Sequence, residues 1–135
     1  MATASQLAPV SNKMLWTGRV VSIVIGLLLL ADGVGKLAKP EPVVKATTKL
    51  GYPESVIVGL GIVLIACTAI YLIPRTALLG AILLTGYLGG AVASHLRAGD
   101  AVFPICFPVI VGAVVWGGLW LRDGRLRALV PLRTL

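Results

Sequence analysis

Gly86-Tyr87-Leu88-Gly89-Gly90-Ala91-Val92-Ala93-Ser94-His95-Leu96-Arg97-Ala98-Gly99-Asp100 opens as an apolar helix of small residues. It closes on the only histidine of the chain, followed by an arginine, a glycine and an aspartate. Its apolar part belongs to a block from Thr76 to about Leu96, which at about 1.5 Å per residue can cross a hydrocarbon layer about 30 Å thick. Gly86 and Gly90 stand four residues apart, and Gly89 and Ala93 repeat the spacing. That is the small-xxx-small pattern through which transmembrane helices approach closely. The block predicts a helix that packs on its glycine face and sets His95 at a membrane boundary.

The rest of the chain repeats the apolar theme. Of its 135 residues 58% are hydrophobic and 13% are charged, where a soluble domain carries roughly a quarter. The apolar residues gather in long blocks, near residues 15–37, 55–73, 76–96 and 101–121. Blocks of this length read as membrane spans. The prediction is an all-α membrane protein: one domain over residues 1–135, a bundle of four transmembrane helices with a short amphipathic helix between spans 1 and 2. The formal charge of +7 does not indicate nucleic acid, because the basic residues stand at the ends of apolar blocks. They read as topology signals and lipid-headgroup contacts, and the bilayer is the expected partner.

In chain order, residues 1–12 are small and polar and are expected to be poorly ordered. The first block follows Lys13 and Arg19 as a signal peptide would, but no small-x-small cleavage site follows it, so it reads as an uncleaved helix. Its uncharged run from Val20 to Ala31 covers only about 18 Å, so Arg19 or Asp32 must enter the apolar slab. Arginine can snorkel to the surface and aspartate cannot. Asp32 is therefore the candidate carboxylate at the membrane edge, with Lys36 four residues on as its nearest partner. Gly33 and Gly35 are expected to loosen the helix there. Gly18, Ser22 and Gly26 form a second small-residue packing stripe.

Pro40 and Pro42 end the first helix, and Val43, Val44, Thr47 and Leu50 line one side of a short helix expected to lie on the membrane surface. Gly51-Tyr52-Pro53 turns into the second span. Pro74-Arg75 is so short a corner that spans two and three must be antiparallel neighbours. Trp116 and Trp120 suit the interface at the end of the fourth span.

Four spans put both termini on one side with Lys13, Arg19, Arg75, Arg122, Arg125, Arg127 and Arg133. Lys36, Lys39, Lys45, Lys49 and Arg97 fall on the other. Seven against five favours cytoplasmic termini. Asp32, Lys36, His95, Arg97 and Asp100 then gather at the opposite face as the candidate ligand-binding cluster. It suits an interfacial hydrogen-bonding group, a proton relay, or a holder for the polar head of a lipid-soluble ligand such as a quinone. No metal motif, nucleophilic triad or phosphate loop is present. Cys67 and Cys106 differ by about 10 Å in depth, too far for a disulfide, and both read as small buried hydrophobes.

Gly33-Val34-Gly35-Lys36-Leu37, the loop ending Leu50-Gly51-Tyr52-Pro53, and Gly89-Gly90-Ala91-Val92-Ala93-Ser94-His95-Leu96-Arg97 with Asp100 after it resemble the DoxX-like family of small four-helix bacterial membrane proteins. The resemblance extends over nearly the whole four-span layout and implies an inner-membrane protein. It also implies a link either to quinone-dependent redox complexes or to accessory and assembly roles. Two hypotheses of different class follow. One is a quinone-linked subunit of a membrane redox complex, its ligand held by Asp32, Lys36, His95 and Arg97; no cofactor is otherwise required. The other is a non-catalytic scaffold or assembly factor that packs through Gly86 and Gly90 against another membrane or redox protein, or a second copy. A small-molecule or proton-coupled transporter is a third, weaker fit.

Overall fold

The computed structural model describes residues 9–132. The expectations for the first eight residues and for Arg133 lie outside the described residues. Six α-helices follow in order: α1 (Asn12–Ala38), α2 (Glu41–Lys49), α3 (Ile57–Leu72), α4 (Ala77–Ala98), α5 (Val102–Arg122) and α6 (Gly124–Leu129). Single 3-10 turns, Glu54–Val56 and Pro74–Thr76, lead into α3 and α4. Helices α1, α3, α4 and α5, with those leading turns, are long and apolar enough to cross a membrane. This is the all-α four-span bundle that the hydropathy blocks predict.

The helix ends follow from local chemistry. Ser11 caps α1, its hydroxyl accepting from the Met14 N–H at 3.3 Å. The helix stops at Lys39, which turns left-handed (φ 52°) and donates its N–H to Gly35 just before Pro40. Contrary to expectation, Gly33 and Gly35 do not loosen α1. Gly33 is a point of tight packing on α3: a Cβ there would lie 2.6 Å from Ile65 Cγ1, and one at Gly61 would lie 2.8 Å from the Gly33 carbonyl. Contact with α3 accompanies an unbroken helix where backbone freedom alone would relax it. At the far end of α4, Gly99 takes φ 72° and bonds back to His95 and Leu96.

Helix α1 packs on α3 and α5, and α4 also packs on α3 and α5, so α1 and α4 occupy opposite corners of a four-cornered bundle. Leu29, Leu64, Tyr71, Leu84 and Val115 fill the core. Leu27, Ile62, Ile82 and Ile110 point outward, as lipid-facing side chains do. One buried polar thread joins three helices. Tyr71 on α3 donates to the Val115 carbonyl of α5 at 2.7 Å, which leaves Ser22 on α1 to donate to the tyrosine oxygen at 2.9 Å. The start of α1 and the end of α5, with α6 after it, lie at one end of the bundle, here the terminal end. The other, the α2 end, is covered by α2, whose Thr47 is buried while Lys45 and Lys49 face out.

Helix α6 is invisible to a hydropathy reading. The Asp123 carboxylate starts it by accepting from the Arg125 and Leu126 N–H groups at 2.9 and 3.3 Å, and Leu126 then buries itself against the core. Cys67 is buried, but Cys106 is exposed on the outer side of α5, which corrects the expectation for that residue; both are free thiols.

Candidate functional site

Because α1 and α4 sit diagonally, some volume between them must be filled by side chains. Near the α2 end it is not. A cavity of about 570 Å³ opens there, within the size range of small-molecule sites. Gly86 and Gly90 on α4 border it, and a Cβ added at either would meet nothing within 4 Å. No other helix of this chain makes the packing expected on the face of these glycines. Their missing side chains make a gap instead of a close crossing. Apolar walls come from Leu29 of α1, Leu60 of α3, Leu88 of α4 and Phe107, Pro108 and Val111 of α5. Ala46, Thr47 and Leu50 close the end, so α2 roofs a cavity as well as meeting the surface.

The polar residues collect at that roofed end. Lys36 bonds Asp32 at 2.7 Å, one turn along α1, and both border the cavity. The lysine is the more covered partner, with 15% of its side chain exposed against 49% for the aspartate. His95 borders the cavity from α4, and its Nδ1 lies 2.6 Å from Asp100 Oδ2. A carboxylate only accepts, so Nδ1 carries the proton and Nε2 is the ring nitrogen left for a ligand. Asp100 stands behind the histidine, with its other oxygen 3.6 Å from exposed Lys49. The histidine hydrogen bond, and then the lysine charge, hold the Asp100 carboxyl below the usual carboxylate range against the opposing effect of burial.

The five candidate residues therefore divide. Asp32, Lys36 and His95 border the cavity, whereas Asp100 supports His95 from outside it. Arg97 is exposed and turns to the loop, donating to the Leu50 carbonyl at 3.2 Å, so it ties the α2 roof to α4. Sequence reasoning passed over Tyr52 and Ser94. Ser94 donates to the Gly90 carbonyl at 2.7 Å, so the Tyr52 hydroxyl donates to Ser94 at 2.6 Å, across the cavity border. The signal was there in Gly51-Tyr52-Pro53: an aromatic residue in a tight turn facing a membrane end. Tyr87 and Thr47 border the cavity as well. Among the described residues no group of three or more His, Cys, Asp or Glu side chains stands close enough to hold a metal ion.

Residues 20–118 match the DoxX-like family, a stretch that runs from α1 through most of α5 and carries every cavity-bordering residue. The chain is a member of the DoxX-like family. Within this DoxX-like protein the matched stretch takes in both halves of the diagonal gap and the polar end that closes it; α6 lies beyond it. No curated protein and no solved structure shows a significant match to this DoxX-like chain.

Proposed function

We propose that this DoxX-like membrane protein holds a lipophilic ligand with a hydrogen-bonding head, of the quinone class, as the ligand-binding subunit of a membrane redox system. The observation that carries this reading is the cavity itself. Its lining is mostly apolar, α2 roofs one end, and Asp32, Lys36, Tyr52, Ser94 and His95 bring a small set of polar groups to it. A small set of polar groups at the end of an apolar cleft fixes the orientation of a ligand whose tail is satisfied by the walls. The Lys36 ammonium donates to a carbonyl or hydroxyl oxygen of the head, and His95 Nε2, its ring proton committed to Asp100 through Nδ1, accepts from a hydroxyl. A quinone bound there supplies two-electron redox chemistry; the chain orients the head and keeps its donors in register through Asp32 and Asp100. Charge bias supports placing the protein in the cytoplasmic membrane with both termini inside and the polar end outside.

The same open glycines favour a second reading, in which a helix of another membrane protein or a second copy seats on α4. Gly86, Gly89 and Gly90 are exposed and have free space above them. Mass spectrometry of organic extracts from detergent-purified protein separates the two readings. Wild type is compared with His95→Ala and with Gly86→Leu, which places a side chain in the cavity. A quinone present in wild type and depleted at least about tenfold in both variants is expected for loss of a charge-assisted or steric fit. Wild-type extracts without quinone, together with a stoichiometric co-purifying membrane protein lost only in Gly86→Leu, would replace this reading with the second.

A further inference from the structure

The terminal end of the bundle carries a different kind of imbalance. Of the five side-chain carboxylates, Asp32, Glu41, Glu54 and Asp100 lie at the α2 end, and each is within 4 Å of a lysine. Only Asp123 lies at the terminal end, and its Oδ1 is taken by the backbone N–H groups that start α6. Lys13, Arg19, Arg75, Arg122, Arg125 and Arg127 share that end, and none of them makes an ion pair among the described residues.

Two of these arginines are drawn into the protein. Arg122 is half-buried, its Cβ against Gly18 of α1 and its guanidinium over the Tyr71 ring at 5.9 Å. Arg127, on α6, is half-buried too. It lies 5.7 Å over the Trp120 ring, with Nη1 3.4 Å from Met14 Sδ. Gly18 and Met14 are one turn apart on α1, so the two side chains reach the same helix face at successive turns. Among the described residues, Nε and Nη2 of Arg122 and Nε of Arg127 are buried without a hydrogen-bond partner, although the Arg122 side chain also lies within hydrogen-bonding reach of the Tyr71 hydroxyl. Buried N–H groups of a permanent cation call for an acceptor, and an orphaned set of them is a common trace of an ion that belongs at the site. Aromatic faces stabilise the charge but accept no strong hydrogen bond. The forked guanidinium matches the tetrahedral oxygens of a phosphate.

We propose that Arg122 and Arg127, between α1, α5 and α6, form a phosphate-binding site at the terminal end of this protein. The site is separate from the cavity, at the opposite end of the spans, and is independent of the quinone reading. The phosphate belongs either to an anionic lipid of the adjoining leaflet or to a free phosphate from the aqueous side. A lipid is directly at hand, because α1 begins and α5 ends at this side of the bundle, with Trp16 in the first turns of the one and Trp120 in the last turn of the other, and indole rings suit the headgroup level.

The test is thermal unfolding of the purified full chain in a neutral detergent, with native mass spectrometry of retained lipid. Phosphatidylglycerol, phosphatidylcholine and inorganic phosphate are added separately at matched ionic strength. An Arg122→Gln/Arg127→Gln variant is compared with wild type and with Arg125→Gln, which alters an exposed arginine of the same helix. A rise in Tm with phosphatidylglycerol alone, with retention about tenfold lower in the double variant and unchanged in Arg125→Gln, establishes a lipid site. A rise with inorganic phosphate as well, lost in the same variant, establishes a free-phosphate site. No rise with either in wild type, or an equal response in Arg125→Gln and the double variant, overturns the proposal. Should the double variant fail to fold, Arg127→Gln alone gives the same comparison, since its side chain lies on α6 outside the four-span core.

Discussion

At the scale of single residues, the site depends on what stands behind the groups that face the cavity. His95 is the chain's one histidine, and its orientation is set by Asp100, five residues on, past the Gly99 turn. The turn is what allows the pairing: the left-handed glycine brings the chain back over the end of α4 so that the carboxylate meets the ring. Asp100 also reaches Lys49 of the roof, so one carboxylate links α4 to α2. Its pKa is lowered, so the charged form carries the stabilisation. That contribution is complete above the ordinary carboxylate range, near pH 4, and is lost as pH falls through the lowered value. Wild type is therefore expected to melt at a higher temperature than Asp100→Asn at pH 7, and the gap is expected to narrow progressively as the pH is brought below the ordinary carboxylate range. Thermal unfolding in detergent over this pH range checks this. A gap that stays constant across the range would mean that the carboxylate charge is not what holds the corner.

At the scale of elements, two glycine stripes that look alike in the sequence do opposite things. On α1 the stripe is a contact: a Cβ on Gly18 would lie 2.7 Å from the Gly118 carbonyl of α5 and 3.0 Å from Arg122 Cβ. Backbone cannot yield there as a flexible side chain would. On α4 the stripe is a gap, with nothing near Gly86 or Gly90. Gly18→Leu is expected to destabilise the bundle by about 1–3 kcal/mol or to prevent its assembly. Gly86→Leu is expected to leave stability unchanged or slightly raised, because leucine favours the helix more than glycine by roughly 0.8 kcal/mol. Urea or thermal titration followed by tryptophan fluorescence distinguishes them, and equal losses in both variants would show that α4 is packed after all. Spacing alone could not tell a contact from a gap. It records that a helix offers a small face, whereas what meets that face depends on which helices are diagonal. The Asp32–Lys36 pair, by contrast, was fully legible, because both partners lie on one helix and their separation is fixed by its pitch.

At the scale of the whole molecule, span number, boundaries to within a few residues and the shared side of Asp32 and His95 were readable from hydropathy and helix rise. Long-range pairings were not: Tyr52 with Ser94 and Arg97 with Leu50 join parts of the chain more than forty residues apart, and no local pattern encodes them. Charge, however, is a property of the whole, and it separates the two ends more sharply than the basic residues alone do. The α2 end is a near-neutral set of lysine–carboxylate pairs, whereas among the described residues the terminal end is a cationic rim with one acidic side chain. A cationic rim favours the anionic inner leaflet, so the proposed orientation puts the terminal end inside. Single cysteines test the orientation in a Cys67→Ala/Cys106→Ala background. Lys45→Cys reports the exposed face of α2, and Lys13→Cys reports the exposed start of α1. A membrane-impermeant maleimide is expected to label the Lys45→Cys variant in intact cells, and the Lys13→Cys variant only after permeabilisation. The reverse pattern would turn the molecule over, putting the roof of the cavity in the cytoplasm and the Arg122–Arg127 rim outside, with the bundle itself unchanged.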